Sequence, residues 1–294
     1  MAYQTGTAKN TPDLVNQLVT LMKTQGWILN KQENTYDWGS NWYLHHPDVG
    51  YLIFQTASDT TLLLYGATGF DGSKKHYEQP GVTQGANPFS GSYGASIVCY
   101  DFFVTSRYSH IVIQFSEGYF YHFGTGMLNR EGDYTGGQYV YSGAGTSVFP
   151  FDHHSEYTGG TTLRALLPGE TDVTSGWYNF FQTPPRAMGL GNPPANNGHP
   201  DVLAVETSQS ALGGVLAPVP QSVYITTSQK LTVRMGVVPD FCVCHMHGLT
   251  PRAKVSINGE QWMVIPVSRM TLKRSGALRN GDTFTYAYAF RITA

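Results

Sequence analysis

Charge is what this sequence has least of. Asp, Glu, Lys and Arg make up 13% of the 294 residues, about half the ~25% of an ordinary soluble domain. The 18 basic residues nearly balance the 20 acidic ones, leaving a formal net charge of −2. Phosphate backbones are bound by clustered cations, so no electrostatic case for nucleic acid exists. The basic residues are scattered, apart from Lys74-Lys75 and the Arg269–Arg279 stretch. Cysteine is scarce as well. Three thiols, an odd number, make no disulfide framework, and the expectation is folding in a reducing cytoplasm. Long hydrophobic runs are missing: no stretch approaches the ~18 apolar residues of a membrane span. The opening MAYQTGTAKNTPD has no apolar core of the kind a signal peptide needs. There is no P-loop, no GxGxxG after a strand and no GxSxG elbow. Triads of Ser, His and Asp are assembled in space, so motif absence does not bear on them.

What is present is glycine (33), tyrosine (19) and phenylalanine (15), with polarity carried by Ser, Thr, Asn and Gln. That composition suits a β-rich chain with many turns. A weakly charged, Tyr-rich surface suits burial against a partner; the plainer alternative is a neutral secreted protein.

One helix is well signalled. Thr11 reads as its cap, Pro12 as its first residue, and Asp13 sits at the positive end of its dipole. Leu14, Val15, Leu18, Val19, Leu21 and Met22 recur at helical spacing. Gly26 stops the helix and Trp27 folds back on it. Strands dominate afterwards. Tyr51–Phe54, Thr61–Tyr65, Gln138–Tyr141, Val223–Thr226, Leu231–Val237 and Cys242–Met246 are short strand-like runs. Ile97–Val104 reads as buried on both faces. Ile111–Phe115 and Tyr119–Phe123 form a hairpin about Ser116-Glu117-Gly118. Lys254–Ile257 and Gln261–Val267 flank Asn258-Gly259, the strongest short hairpin signal in the chain. Phe284–Ile292 alternates cleanly. Gly66–Gly94 and Pro184–Pro200 read as long Gly/Pro-rich loops. The second suggests an extended arm lying on a neighbouring subunit. The predicted fold class is mainly β: an antiparallel β-sandwich or barrel-like arrangement with one N-terminal amphipathic helix. It is read as one domain over 1–294. The alternative is two lobes divided near 184–200, with 1–183 holding the helix and 201–294 a C-terminal β part.

Several residues invite chemistry. FCVCHMHG brings Cys242, Cys244, His245 and His247 together, and zinc uses these ligand types. On a strand, however, the cysteines share one face and the histidines the other. Same-face neighbours lie about 6.6 Å apart, at the long limit for a disulfide. His45-His46 and the histidines of Asp152-His153-His154 are adjacent pairs, which point apart on an extended chain. His122 shares a strand face with Phe120, opposite Tyr121 and Phe123, and reads as a hydrogen-bonded structural histidine. Glu131 and Asp133, in NREGDYTGG, are the nearest candidates for a carboxylate pair, but Asp and Gly there define a turn. The expectation is no catalytic residue, no cofactor and no bound metal.

The stretch RYSHIVIQFSEGYFYHFGTGML, followed by GDYTGGQYV, resembles a family of tailed-bacteriophage virion proteins. In these a similar hairpin leads to an HFG motif and a Gly-rich TGG turn. NTPDLVNQLVTLMKTQGWIL is similar to their N-terminal helix. INGEQWMVIPVSR and TYAYAFRI resemble their C-terminal hairpin and last aromatic strand. The resemblance covers both ends and the centre of the chain. It implies a non-enzymatic structural component of the tail, baseplate or neck, located in the virion and assembled in the host cytoplasm. The implied partners are other virion proteins and copies of itself, with neither nucleic acid nor membrane. On this reading HFGTG is a fold signature: His122 caps the hairpin end, and Gly124 and Gly126 let the chain turn. The alternative is a carbohydrate-binding or depolymerase-like β-sandwich protein, with Trp38, Trp42 and Tyr43 stacking on sugar.

Overall fold

The computed structural model describes residues 1–35, 39–58, 61–83, 86–89, 97–115, 120–142, 162–168, 177–181, 218–227, 231–245, 249–267 and 286–292. The fold is mainly β and antiparallel, with one α-helix among the described residues. Pro184–Pro200 lies outside the described residues, as do the Ser116–Gly118 turn, Trp38, Asp152-His153-His154 and His247.

Helix α1 (Thr11–Thr24) turns Leu14, Val15, Leu18, Val19 and Met22 inward. Its cap is Asn10, one residue earlier than the sequence suggests. The Asn10 side chain accepts the N–H of Asp13 at 2.9 Å, which moves Thr11 and Pro12 into the first turn. The Asp13 carboxylate in turn accepts the Lys9 N–H. At the other end Gly26 takes φ 88°. The Gly26 and Trp27 amides return to the Lys23 and Met22 carbonyls. This pair of bonds satisfies two orphan acceptors and folds Trp27 back onto the helix.

Five strands form one sheet: β2 (Ile28–Thr35), β3 (Gly39–His46), β4 (Gly50–Ser58), β5 (Thr61–Ala67) and β6 (Ala86–Phe89), in that order. The remaining strands build a second, long sheet. Its first half runs through β1 (Ala2–Gly6), β7 (Ile97–Val104), β8 (Tyr108–Phe115), β9 (Phe120–Met127), β11 (Thr135–Ser142), β12 (Thr162–Leu166) and β13 (Trp177–Phe181). Its second half continues through β14 (Val219–Thr226), β15 (Thr232–His245), β18 (Tyr286–Arg291), β17 (Glu260–Pro266) and β16 (Ala253–Ile257), with β10 (Asn129–Arg130) pairing to β15.

The long sheet folds over on itself, so the stack has three layers. Its first half is the middle layer. One face of it, with Phe102, Val104, Ile111, Ile113, Tyr121 and Phe123, packs on α1 and the five-stranded sheet. The other face, with Phe103, Val112, Phe120, Tyr139 and Tyr141, packs on Val223, Met235, Phe241, Tyr288 and Phe290 of the second half. Antiparallel sheets usually leave one face to water; here both are covered. That is why HIVIQF and CYDFFV are apolar at consecutive positions. In β7 the double burial begins at Tyr100, since Val98 is 46% exposed.

Three further expectations change. The Gly66–Gly94 loop contains the end of β5, a short 3-10 turn at His76–Glu78 and all of β6. Leu231–Val237 and Cys242–Met246 are not separate strands: β15 runs unbroken from Thr232 to His245, with Asp240 between the two runs at φ 55°. Gly124 and Gly126 lie inside β9, not in a turn. They face Tyr141 and Tyr139 across the ladder. A Cβ at 124 would come within 2.9 Å of the Tyr141 ring, and one at 126 within 2.7 Å of the Tyr139 hydroxyl. Glycine is needed there so that two tyrosines can lie close over the strand.

Candidate functional site

The polar groups that matter lie between the layers. Two histidines on the middle layer face the third. Both rings are fully buried: His110 is 0% and His122 1% exposed. His110 has Nε2 at 3.1 Å from the Pro239 carbonyl and Nδ1 at 3.0 Å from the Tyr141 hydroxyl. A carbonyl only accepts, so Nε2 carries the proton and Nδ1 accepts from Tyr141. His122 donates from Nε2 to the Pro266 carbonyl at 2.8 Å, and its buried Nδ1 has no hydrogen-bond partner among the described residues. Burial pushes the pKa of His110 down to about 3 and that of His122 to about 4, although the carbonyl bonds act the other way. Both rings are therefore neutral at pH 7. His122 is a hydrogen-bonded structural histidine. It ties β9 to the end of β17 rather than capping its own hairpin.

Two ion clusters flank these histidines. Asp101 of β7 is 0% exposed. Its carboxylate accepts from Arg252 Nε at 2.8 Å and from the Tyr3 hydroxyl at 2.9 Å. Arg252 also reaches the Gln114 carboxamide at 2.5 Å and lies 5.2 Å over the Phe120 ring. Its backbone takes φ 65°, a region that costs an L-residue about 1 kcal/mol or more. In this conformation the guanidinium reaches the middle layer. The second cluster centres on Arg291, which meets Asp240 and Glu260, each at 2.8 Å. Asp240 also accepts from the Tyr108 hydroxyl at 2.6 Å. Burial, followed by the Asp240 charge, holds the Tyr108 phenol far above its usual range. Burying a charge is costly unless it is paired and hydrogen-bonded, and both clusters meet that condition at their carboxylates.

Of the cysteine-histidine run, the described side chains are those of the two cysteines. Cys242 and Cys244 share a face with Trp262, Val264, Ala287 and Ala289, and both are free thiols. Burial pushes the Cys242 thiol up to about 12 and Cys244 up as well, so neither is a ready thiolate. His245 ends β15. Among the described residues no group of three or more His, Cys, Asp or Glu side chains is placed to hold a metal. The adjacent pair His45-His46 does point apart: His45 stacks on Tyr51, and His46 packs against Trp27. Glu131 and Asp133 are exposed beside Gly132, which takes φ 90°, and Glu131 pairs with Arg234 at 3.3 Å. Trp42 and Tyr43 are each 1% exposed, so they offer no stacking platform to a sugar. Asp101, Arg252, Asp240, Arg291 and His110 escape the sequence reading. A lone Asp inside CYDFFV is the one signal that could have pointed to a buried partner.

No protein-family model matches the chain, and no curated protein does. Among the described residues no helix is long and apolar enough to cross a membrane.

Proposed function

We propose that this protein is a structural component of a tailed-bacteriophage virion, built into the tail, baseplate or neck and acting through subunit contacts rather than catalysis. The observation that carries the proposal is the use made of the motif-bearing hairpin. His122 is spent on the Pro266 carbonyl, and Gly124 and Gly126 are spent on tyrosine packing. Tyr121 and Phe123 face one neighbouring layer, while Phe120 faces the other. His122, Phe120, Tyr121 and Phe123 thus join this layer to its neighbours, and the two glycines seat tyrosines of the adjacent strand, as a fold signature of a structural family should. The low surface charge supports the same reading, because few charges have to be desolvated when such a surface is covered. The partners on this reading are other virion proteins and copies of this chain. The test is quantitative mass spectrometry of purified particles of the phage encoding it, joined to an electron-microscopy map. A fixed copy number matched by density for the three-layer stack is the expected result. Particles without the protein would sink the proposal.

A further inference from the structure

The turn at Asn258-Gly259 is exposed at both residues. Asn258 takes φ 52° and Gly259 φ 83°, the two positive values of a type I′ hairpin turn. Among the described residues, nothing lies within 4 Å of where a Cβ at 259 would sit. Among the described residues no hydrogen bond holds the Asn258 carboxamide or the Gly259 amide. An unhindered backbone nitrogen thus follows an unheld carboxamide. Asn41 is the internal contrast. It is 0% exposed, sits within β3 and is followed by the bulky Trp42.

We propose that Asn258 is a site of spontaneous covalent modification, converting to aspartate and isoaspartate, and that the conversion loosens the clamp between the outer hairpin and the middle layer. The Gly259 nitrogen attacks Cγ of Asn258, forming a five-membered imide. The Cγ–Nδ2 bond breaks, and Nδ2 leaves as ammonia with the proton lost by the Gly259 nitrogen. Water then adds to one of the two imide carbonyls. Opening at Cγ gives aspartate. Opening at the backbone carbonyl gives isoaspartate, with the chain running through Cβ. One water is consumed, one ammonia is released and nothing is oxidised.

The consequence follows from how the two strands are held. β17 is paired on both sides, whereas β16 pairs with β17 alone among the described residues. An extra backbone methylene in a two-residue turn breaks the Ile257–Glu260 register, and β16 is the strand free to shift. β16 leads directly back to Arg252. The Arg252 amide donates to the Val264 carbonyl at 2.8 Å, and its side chain holds Asp101. A slip of β16 therefore pulls on the Arg252–Asp101 ion pair. The new carboxylate also arises two residues from Glu260.

The test ages the full-length folded chain at mildly alkaline pH. Peptide mapping follows the one-dalton mass gain at 258, and enzymatic methylation detects isoaspartate. A synthetic peptide spanning 254–262 sets the unstructured rate. Folded Asn258 should convert within about tenfold of the peptide, with Asn41 unchanged. Asn258→Gly keeps a residue that tolerates positive φ and removes the carboxamide. It should age with no mass gain at 258 and keep its denaturation midpoint, while the aged wild type loses stability. Conversion more than about tenfold slower than in the peptide overturns the proposal. So does a converted protein whose midpoint matches that of Asn258→Gly.

Discussion

His110 and His122 hold the middle layer against the third as neutral rings, and this makes stability depend on pH. Unfolded, both titrate near 6.5; folded, they titrate near 3 and 4. Between these values the unfolded chain binds more protons. The contribution of the buried rings is therefore whole above about pH 6.5 and is lost as pH falls toward 4 and then 3. At pH 5 the loss is roughly 2 kcal/mol for each histidine. The checking measurement compares urea midpoints at pH 7 and pH 5 in the wild type and in His122→Gln. The glutamine amide can still donate to the Pro266 carbonyl but does not titrate, so its midpoint should fall less. Equal falls in the two proteins would show that His122 takes no part. Gly126 makes the same point in steric terms. A Cβ there would meet Tyr108 Cβ at 2.6 Å and the Arg107 carbonyl at 2.8 Å, neither of which is a flexible chain end. Gly126→Ala should cost about 1–3 kcal/mol through overpacking, read as a lower midpoint with an unchanged denaturant slope.

At the scale of single elements, the β16–β17 hairpin is the best-isolated case. Its two-residue loop sits between Ile257 and Glu260, and positive φ at both turn positions matches the twist of the flanking strands. Gly259 has open space around it, so any penalty for a side chain there is backbone strain and not collision. Gly259→Val should lose ~1 kcal/mol or more, since a β-branched residue is disfavoured at positive φ. An unchanged denaturation midpoint would show that this turn does not set the register. Helix α1 depends on its surroundings in a different way. Its buried stripe packs against β2, β4 and β7, and Trp27 donates from its indole to the Thr105 carbonyl at 2.8 Å. Capping and the glycine stop define where the helix begins and ends, while tertiary packing stabilises it.

Across the whole molecule, the third layer is fixed to the second by polar contacts set in a broad apolar interface. Apolar packing tolerates sliding; a buried carboxylate with one guanidinium partner does not. The Asp101–Arg252 pair is thus read as a device for registry more than for net stability. Replacing Arg252 by Met strands a buried carboxylate and should destabilise by roughly 3–5 kcal/mol. Adding Asp101→Asn to that variant should recover a substantial part, because the uncompensated charge is then gone. A double-mutant cycle by chemical denaturation measures the coupling. Additive losses would mean that the two residues act independently.

Features that depend on local backbone geometry are legible in the sequence. The period of Leu14 to Met22, the alternation through Tyr286–Arg291 and the Asn258-Gly259 turn were legible because helix and strand spacing and positive φ leave marks within a few residues. The paired chain ends of α1 were legible for the same reason, although the cap moved by one residue to Asn10. Strands β1, β2 and β3 were harder to see, since polar or mixed runs such as AYQTG and ILNKQENT show little periodicity. The remaining features arise from contacts between residues distant in the chain. Arg252 reaches Asp101 across 151 positions, and His122 reaches Pro266 across 144. Nothing near either residue encodes its partner. Gly124 and Gly126 look like turn formers in sequence, yet they are paired strand residues whose missing Cβ leaves room for Tyr141 and Tyr139. Alternation says which side chains share a face; only the stacking of three layers says that both faces of the middle one are buried, and by what.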